Sequence, residues 1–270
     1  MDTELAYLSG VLDCDGCFTT TEVDGHAYPL VVLAQVTEGI PALLARRYGG
    51  KANRNAVSCV NGRDTYTWKV AGSRTEEVLG EVTPLLRNKR GRAELLAEMA
   101  GASASVRYGL HRRVRAACGA VDVVDPIPVG ALAEEELRAY LAGAMDADGT
   151  FQIAHPRPPR AGQAHVSFTK SWPQIPRLLG RTFGGKVTKR PPGKGGVRAT
   201  YRWYCPASSM SELLRALLPH LRLKAEQAGL LAEFRETVTT RGSVLSDEAT
   251  ARRLVLSHRA AELNRRGRHG

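Results

Sequence analysis

The sequence predicts an α+β chain of two pseudo-symmetric lobes, each running α-β-β-α-β-β-α. Three observations predict it. "AYLSGVLDCDGCF" at residues 6–18 returns as "AYLAGAMDADGTF" at 139–151. "YGGK" at 48–51 and "TYTW" at 65–68 return as "FGGK" and "TYRW" 135 residues later. "LLRNKRGRAELLAEM" from Leu85 pairs with "HLRLKAEQAGLLAEF" from His220 at the same displacement, which superimposes Lys89 on Lys224. The first stretch is displaced by 133 (148 − 15), so one two-residue insertion accounts for every offset. So long a period means a duplicated domain, since solenoid repeats run to roughly 20 to 50 residues.

Each element follows from local pattern. Apolar residues at helical spacing predict a helix over 3–14, stopped by Gly16, with a counterpart over 134–147. β-Branched and aromatic stretches come next. In lobe one "CFTTTEV" and "LVVLAQVT" flank a turn "DGHAYP"; in lobe two "TFQIA" and "AHVSFTK" flank "PRPPRAG". A helix follows each hairpin, over 40–47 and 175–182. Second strand pairs are expected at 51–60 with 65–71 and at 186–191 with 197–204, and more helix after them. Residues 117–132 contain two prolines and no helical period, so they are read as a linker between lobes 1–116 and 133–245. The tail, 246–270, opens with Ser246 as N-cap, has Asp247 and Glu248 in the first turn and ends in arginines, an order that suits the helix dipole.

At 270 residues and 43% hydrophobic content the chain can bury one or two sizeable cores. The N-terminus lacks a charged region followed by an apolar one, and no apolar run approaches the roughly 18 residues a membrane span needs. A cytoplasmic, nucleoid-associated protein is expected. Five cysteines without such a leader argue against a disulfide framework. Cys14 and Cys17 form a CxxC with no second pair, so two small buried residues are expected and not zinc.

Net charge is +11, and its distribution is more telling. Residues 149–211 hold eleven Lys and Arg and no acidic residue, although 27 acids in 270 residues would put about six there. A solvated face interleaves both signs, so this window predicts a surface for a polyanion, with nucleic acid first.

The repeated helices carry a stripe of small residues. Ala6, Ser9, Gly10 and Asp13 stand at i, i+3, i+4 and i+7, and Ala139, Ala142, Gly143 and Asp146 repeat them. Small stripes let helix backbones approach closely, so each helix is expected to pack on its duplicate. Asp13 and Asp146 are then read as structural residues that hydrogen-bond the turn. Asp15 and Asp148 are different. Carboxylates at the negative ends of helix dipoles, brought near one another, call for a cation. Oxygen ligands of this kind suit Mg²⁺, which keeps several waters and takes phosphate oxygens.

On "LSGVLDCDG" at 8–16 and "LAGAMDADG" at 141–149, the chain resembles the LAGLIDADG homing endonucleases, as a single-chain member with two motifs. The resemblance spans essentially the whole chain. It implies motif helices paired at the centre, a four-stranded antiparallel saddle from each lobe in the DNA major groove, and hydrolysis of double-stranded DNA at a long asymmetric site by a monomer with internal pseudo-twofold symmetry. It also implies divalent metal, Mg²⁺, on Asp15 and Asp148, with Lys89 and Lys224 near the reacting phosphate. Glu38 matches a residue that orients water after the second strand, whereas "KSWPQIP" in lobe two has Pro173 and offers Gln174. Alternation and the resemblance together nominate DNA-reading side chains: Thr19, Thr21, Gln35, Asn53 and Asn55 in lobe one, and Gln152, Lys170, Lys186, Thr188, Arg190 and Arg202 in lobe two. The competing reading is a protein on the same scaffold that binds nucleic acid without cutting, as an RNA-splicing maturase or a transcription regulator.

Overall fold

The structure, a computed structural model, describes residues 2–58, 63–117, 132–154, 162–193, 198–237 and 246–269. It has two compact units, Met1–Gly143 and Ala144–Gly270. The first contains α1 (Thr3–Asp15), β1 (Cys17–Val23), β2 (His26–Gln35), α2 (Gly39–Tyr48), β3 (Ala52–Ser58), β4 (Arg63–Ala71), α3 (Thr75–Val82), α4 (Arg90–Ala100), α5 (Ala104–Ala117) and the beginning of α6 (Glu134–Asp148). The second holds the end of α6, then β5 (Gly149–Ala154), β6 (Gln163–Lys170), α7 (Gln174–Phe183), β7 (Lys186–Arg190), β8 (Thr200–Tyr204), α8 (Met210–Leu217), α9 (Ala225–Glu236) and α10 (Asp247–His269).

The element order expected of each lobe is present, with the closing helix split. Pro84 and Pro219, at equivalent places, fall just after α3 and α8; proline lacks the N–H a continuing helix needs. The expected linker lies outside the described residues except for its ends, as does the "PRPPRAG" turn except Gly162. Among the described residues no helix is long and apolar enough to cross a membrane.

Each unit has one four-stranded antiparallel sheet, in order β1-β2-β4-β3 and β5-β6-β8-β7. One face is buried against helices. Along β2, Ala27, Pro29, Val31, Leu33 and Gln35 are buried while the residues between them are half-exposed or exposed, the period of two that a half-covered sheet requires. Helices α4 and α5 pack on β1 and β2; α9 and α10 pack on β5. Leu8, Leu12, Phe18, Val31, Leu33, Leu44 and Trp68 fill the first core, and Phe151, Val166, Phe168, Leu179, Trp203 and Leu231 the second. A fully buried Leu, Val or Phe side chain contributes roughly 1.5–3 kcal/mol.

Two turns explain recurrent sequence. The first hairpin turns on Asp24 and Gly25 alone, with φ of 51° and 74° and Val23 paired to His26. This is shorter than the expected "DGHAYP" loop, because Asp-Gly takes the two left-handed positions that a two-residue hairpin requires. In "YGGK" and "FGGK", Gly49 (φ 72°) and Gly184 (φ 70°) offer their carbonyls to the buried indoles of Trp68 (2.9 Å) and Trp203 (2.8 Å). The tryptophans of "TYTW" and "TYRW" are thus tied to the glycine pairs of the same lobe.

The first compact unit extends to Gly143, inside α6, and the small-residue stripe is closely packed there. A Cβ on Gly143 would overlap the carbonyl oxygen of Tyr7, and Val11 N would lie 3.2 Å away. Ala139 and Ala142 are wholly buried, as is Ser9. The beginning of α6 is therefore part of the packing of α1.

Candidate metal-ligating residues and nucleic-acid interface

The two aspartates of each motif have separate duties. Asp13 is fully buried and accepts backbone N–H bonds from Arg87 (2.6 Å), Asn88 (3.0 Å) and Lys89 (2.9 Å), with a fourth from the Tyr140 hydroxyl (2.5 Å). Asp146 accepts from Arg222 (2.7 Å), Leu223 (3.1 Å) and Lys224 (2.8 Å). Both are structural, and what they hold is a loop about 75 residues further along the chain rather than the turn beside them. A carboxylate with this many N–H donors anchors the segment that begins α4 or α9.

The lysines complete a reciprocal clasp. Lys89 Nζ donates to the carbonyls of Leu12 (3.0 Å), Cys14 (2.8 Å) and Gly16 (2.5 Å). Lys224 Nζ donates to Met145 (3.0 Å), Ala147 (3.3 Å) and Gly149 (2.8 Å). These carbonyls lie in and just past the last helical turn, where the dipole favours a cation. Lys89 is only 5% exposed. Both lysines thus hold the helix end that carries Asp15 or Asp148, a duty that the sequence match did not foretell.

Asp15 is exposed at the end of α1, and its Oδ2 accepts from Gln35 Nε2 at 3.2 Å. Asp148 is ion-paired with Lys170. Gln35 and Lys170 are 135 residues apart, the displacement of the duplication, and each closes the second strand of its lobe. Both were expected on the DNA-reading face, and this is corrected. Gln35 shares parity with Val31 and Leu33, and Lys170 with Val166 and Phe168, so both lie on the helix-covered side. Strand alternation was the signal that could have found them. Glu38 is exposed at the N-cap of α2, three residues past β2, and the side chain that reaches Asp15 is Gln35 instead.

Among the described residues no three His, Cys, Asp or Glu side chains cluster as metal ligands. Each lobe offers one motif carboxylate, which fits an ion that retains waters and completes its shell with substrate oxygens. In lobe one the amide oxygen Gln35 Oε1 is buried without a hydrogen-bond partner among the described residues, a hard ligand beside Asp15 suited to an ion or its water. Cys14 is buried; Cys17, expected to be buried too, is exposed because β1 places it on the open face.

The open sheet faces carry the remaining nominated residues. Thr19 and Thr21 are half-exposed, and Asn53 and Asn55 exposed; Asn55 Nδ2 donates to Thr67 Oγ1 at 2.8 Å. In lobe two Gln152, Lys186, Arg190 and Arg202 are exposed and Thr188 half-exposed. Register sets these in rows: Thr150, Ser167, Tyr204 and Lys186, then Thr169, Arg202 and Thr188. Arg202 is held over the Tyr204 ring, 4.8 Å from its centroid, and Tyr204 also meets His165 at 5.4 Å. Burial, then the Arg202 charge, pushes the His165 pKa below the ordinary histidine range. The sequence reading missed Tyr204 and His165; alternation along β6 and β8 points to both.

No protein-family model matches the chain, and no curated protein matches it by sequence. Solved structures do. The LAGLIDADG homing endonuclease I-GzeII in complex with its DNA target superimposes with a TM-score of 0.69 at 9% identity, over 94% of this chain and 97% of that one. The LAGLIDADG meganuclease I-AabMI bound to uncleaved DNA gives 0.66 at 12%, over 94% and 98%. The LAGLIDADG homing endonuclease I-SmaMI bound to cleaved DNA gives 0.66 at 13%, over 94% and 95%. Two repeated motif helices, two four-stranded antiparallel sheets and this likeness along nearly the whole length identify the fold as that of the LAGLIDADG homing endonucleases.

Proposed function

We propose that the chain is a site-specific endonuclease that hydrolyses double-stranded DNA with divalent metal, working as a monomer where cytoplasmic or nucleoid DNA is found. The observation that carries this reading is the doubled constellation: in each lobe a carboxylate at the end of the motif helix stands beside the last residue of the second strand, in a lobe whose sheet leaves one face open. The solved structures of like fold add support, being complexes with target, uncleaved and cleaved DNA, one of them with calcium ions.

Asp15 and Asp148 are the residues that would hold Mg²⁺. When bound, such an ion supplies Lewis acidity at a phosphoryl oxygen and a more acidic water for in-line attack. The protein's own residues position the parts. Lys89 and Lys224 fix the helix ends, so that each carboxylate keeps its place. Gln35 orients the Asp15 carboxylate and offers its free oxygen to water. The open faces grip DNA, with Lys186, Arg190 and Arg202 on phosphates or guanine edges and Asn53 and Asn55 able to pair with adenine.

Cleaved sites selected from a randomised DNA library with Mg²⁺ would give the target. Asp15→Asn or Asp148→Asn then abolishes double-strand cleavage while binding in Ca²⁺ persists; full activity in either variant refutes the metal assignment. A second reading, binding without cutting, draws on the Lys170 ion pair at Asp148, and would appear as a wild-type protein that binds its site and leaves it intact.

A further inference from the structure

Arg202 is the middle residue of β8, an interior strand lying between β6 and β7. Lys186 and Arg190 are instead the first and last residues of β7, at the sheet edge. The Arg202 guanidinium is also restrained. Its Cζ stands 4.8 Å from the centroid of the Tyr204 ring, and Nη2 lies 3.5 Å from Ser167 Oγ. Ser167 is paired with Tyr204 in register and is 1% exposed, although strand parity puts it on the open face. The Tyr204 ring is met in turn by His165, with 5.4 Å between centroids. Residues 149–211 contain no carboxylate to draw the guanidinium away. In lobe one the matched places, 135 residues earlier, hold Thr67 and Lys69, with Val32 where Ser167 stands, so the arrangement belongs to lobe two alone.

We infer that Arg202 reads one guanine in the part of the target that lobe two covers, donating to O6 and N7, and that Tyr204 is the positioning residue that fixes its fork for this bidentate contact. This rests on the DNA-binding reading given above. The major groove is about 12 Å wide and admits two strands at a spacing of about 4.8 Å. The interior strands β6 and β8 then face base edges, and β7 lies at the level of the phosphates. A guanidinium has donors and no acceptor, and guanine is the base that presents two neighbouring acceptors in that groove. Adenine and cytosine would turn an amino group toward it. Stacking on Tyr204 restricts the side chain before DNA arrives, so less rotamer freedom is lost on binding.

Selection of bound sites from a randomised double-stranded DNA library in Ca²⁺, with the full-length chain, reads each base position separately. The wild-type protein should prefer guanine by roughly tenfold or more at one position that Arg202→Ala reduces to near indifference, with the rest of the pattern kept. Tyr204→Leu should erode the preference at that same position, and Tyr204→Phe, which retains the ring, should restore it. Both residues lie on the open face, so neither substitution empties the core, and thermal melting confirms that each variant folds. If Arg202→Ala weakens binding to all sites alike and leaves every base preference intact, Arg202 is a phosphate contact; the inference is overturned and the DNA reading stands. Full guanine preference in Tyr204→Leu, or its loss in Tyr204→Phe, overturns the inference as well. A wild-type protein that enriches no sequence overturns the DNA reading itself, and the inference with it.

Discussion

Tyr140 donates its hydroxyl to Asp13 at 2.5 Å, a buried bond between residues 127 apart. Each comes from a different copy of the repeated motif. Burial, and then the Asp13 charge, raises the Tyr140 pKa well above the ordinary tyrosine value. Tyr48 is raised as well, by burial and its bond to Glu81. Their contribution is therefore fully present below pH 10.0, the ordinary value, and is lost as pH rises beyond it, where the unfolded chain releases protons that the folded chain retains. Tyr140→Phe should cost about 1.5–3 kcal/mol at neutral pH. It should also make the alkaline decline shallower, by up to about 1.4 kcal/mol per pH unit. Urea unfolding at pH 7 and at several values above 10 checks both.

Gly143→Ala should destabilise and Gly80→Ala should not. A Cβ at Gly143 meets the Tyr7 backbone, which cannot swing away, whereas one at Gly80 in α3 meets nothing within 4 Å. Overpacking commonly costs about 1–3 kcal/mol. Gly to Ala at a compatible helical site gains about 0.4–1 kcal/mol. The two melting temperatures should move in opposite directions.

Gln35→Ala should slow DNA cleavage by roughly tenfold or more, since its amide orients the carboxylate proposed to hold metal. Glu38→Ala should leave the rate within about twofold. Single-turnover cleavage with saturating Mg²⁺ separates them; the reverse order would restore Glu38 to the role the motif match gave it.

Reversal of Lys186, Arg190 and Arg202 to glutamate should flatten the salt dependence of DNA binding, because each phosphate contact contributes about 0.9 to the slope of log K against log salt. The same reversal at Lys189, which sits on the opposite parity over the Tyr201 ring, should change the slope less. Filter binding across a salt series gives both slopes.

The architecture was legible because it is written twice. A duplicated "YGGK" and "FGGK" fixes where a helix must end on a glycine pair, and alternation along β2 fixes which face is buried. Gln35 and Lys170 are hard to place from sequence because each is polar at the end of an apolar strand, where polarity and parity point to opposite faces. The motif marks Asp13 as structural, but its partners at 87–89 lie too far along the chain for any local pattern to show. Lys89 matched a position near the reacting phosphate, and only three-dimensional geometry gives its carbonyl partners. Charge counts and motifs report which groups are present; whether a neighbour has already claimed them is a tertiary fact.

The closing of the first compact unit at Gly143, inside α6, limits how this protein can be recombined. A hybrid joined through residues 117–132 would set a foreign helix against the native Asp13 and Tyr7, and that helix must bring a phenol where Tyr140 stands and a glycine where Gly143 stands. On the DNA-binding reading proposed above, the sheets are free to diverge with their targets. The motif helices are not: a change in one copy has to be tolerated by the other, so the halves are bound to drift together at their helices even as they specialise at their strands.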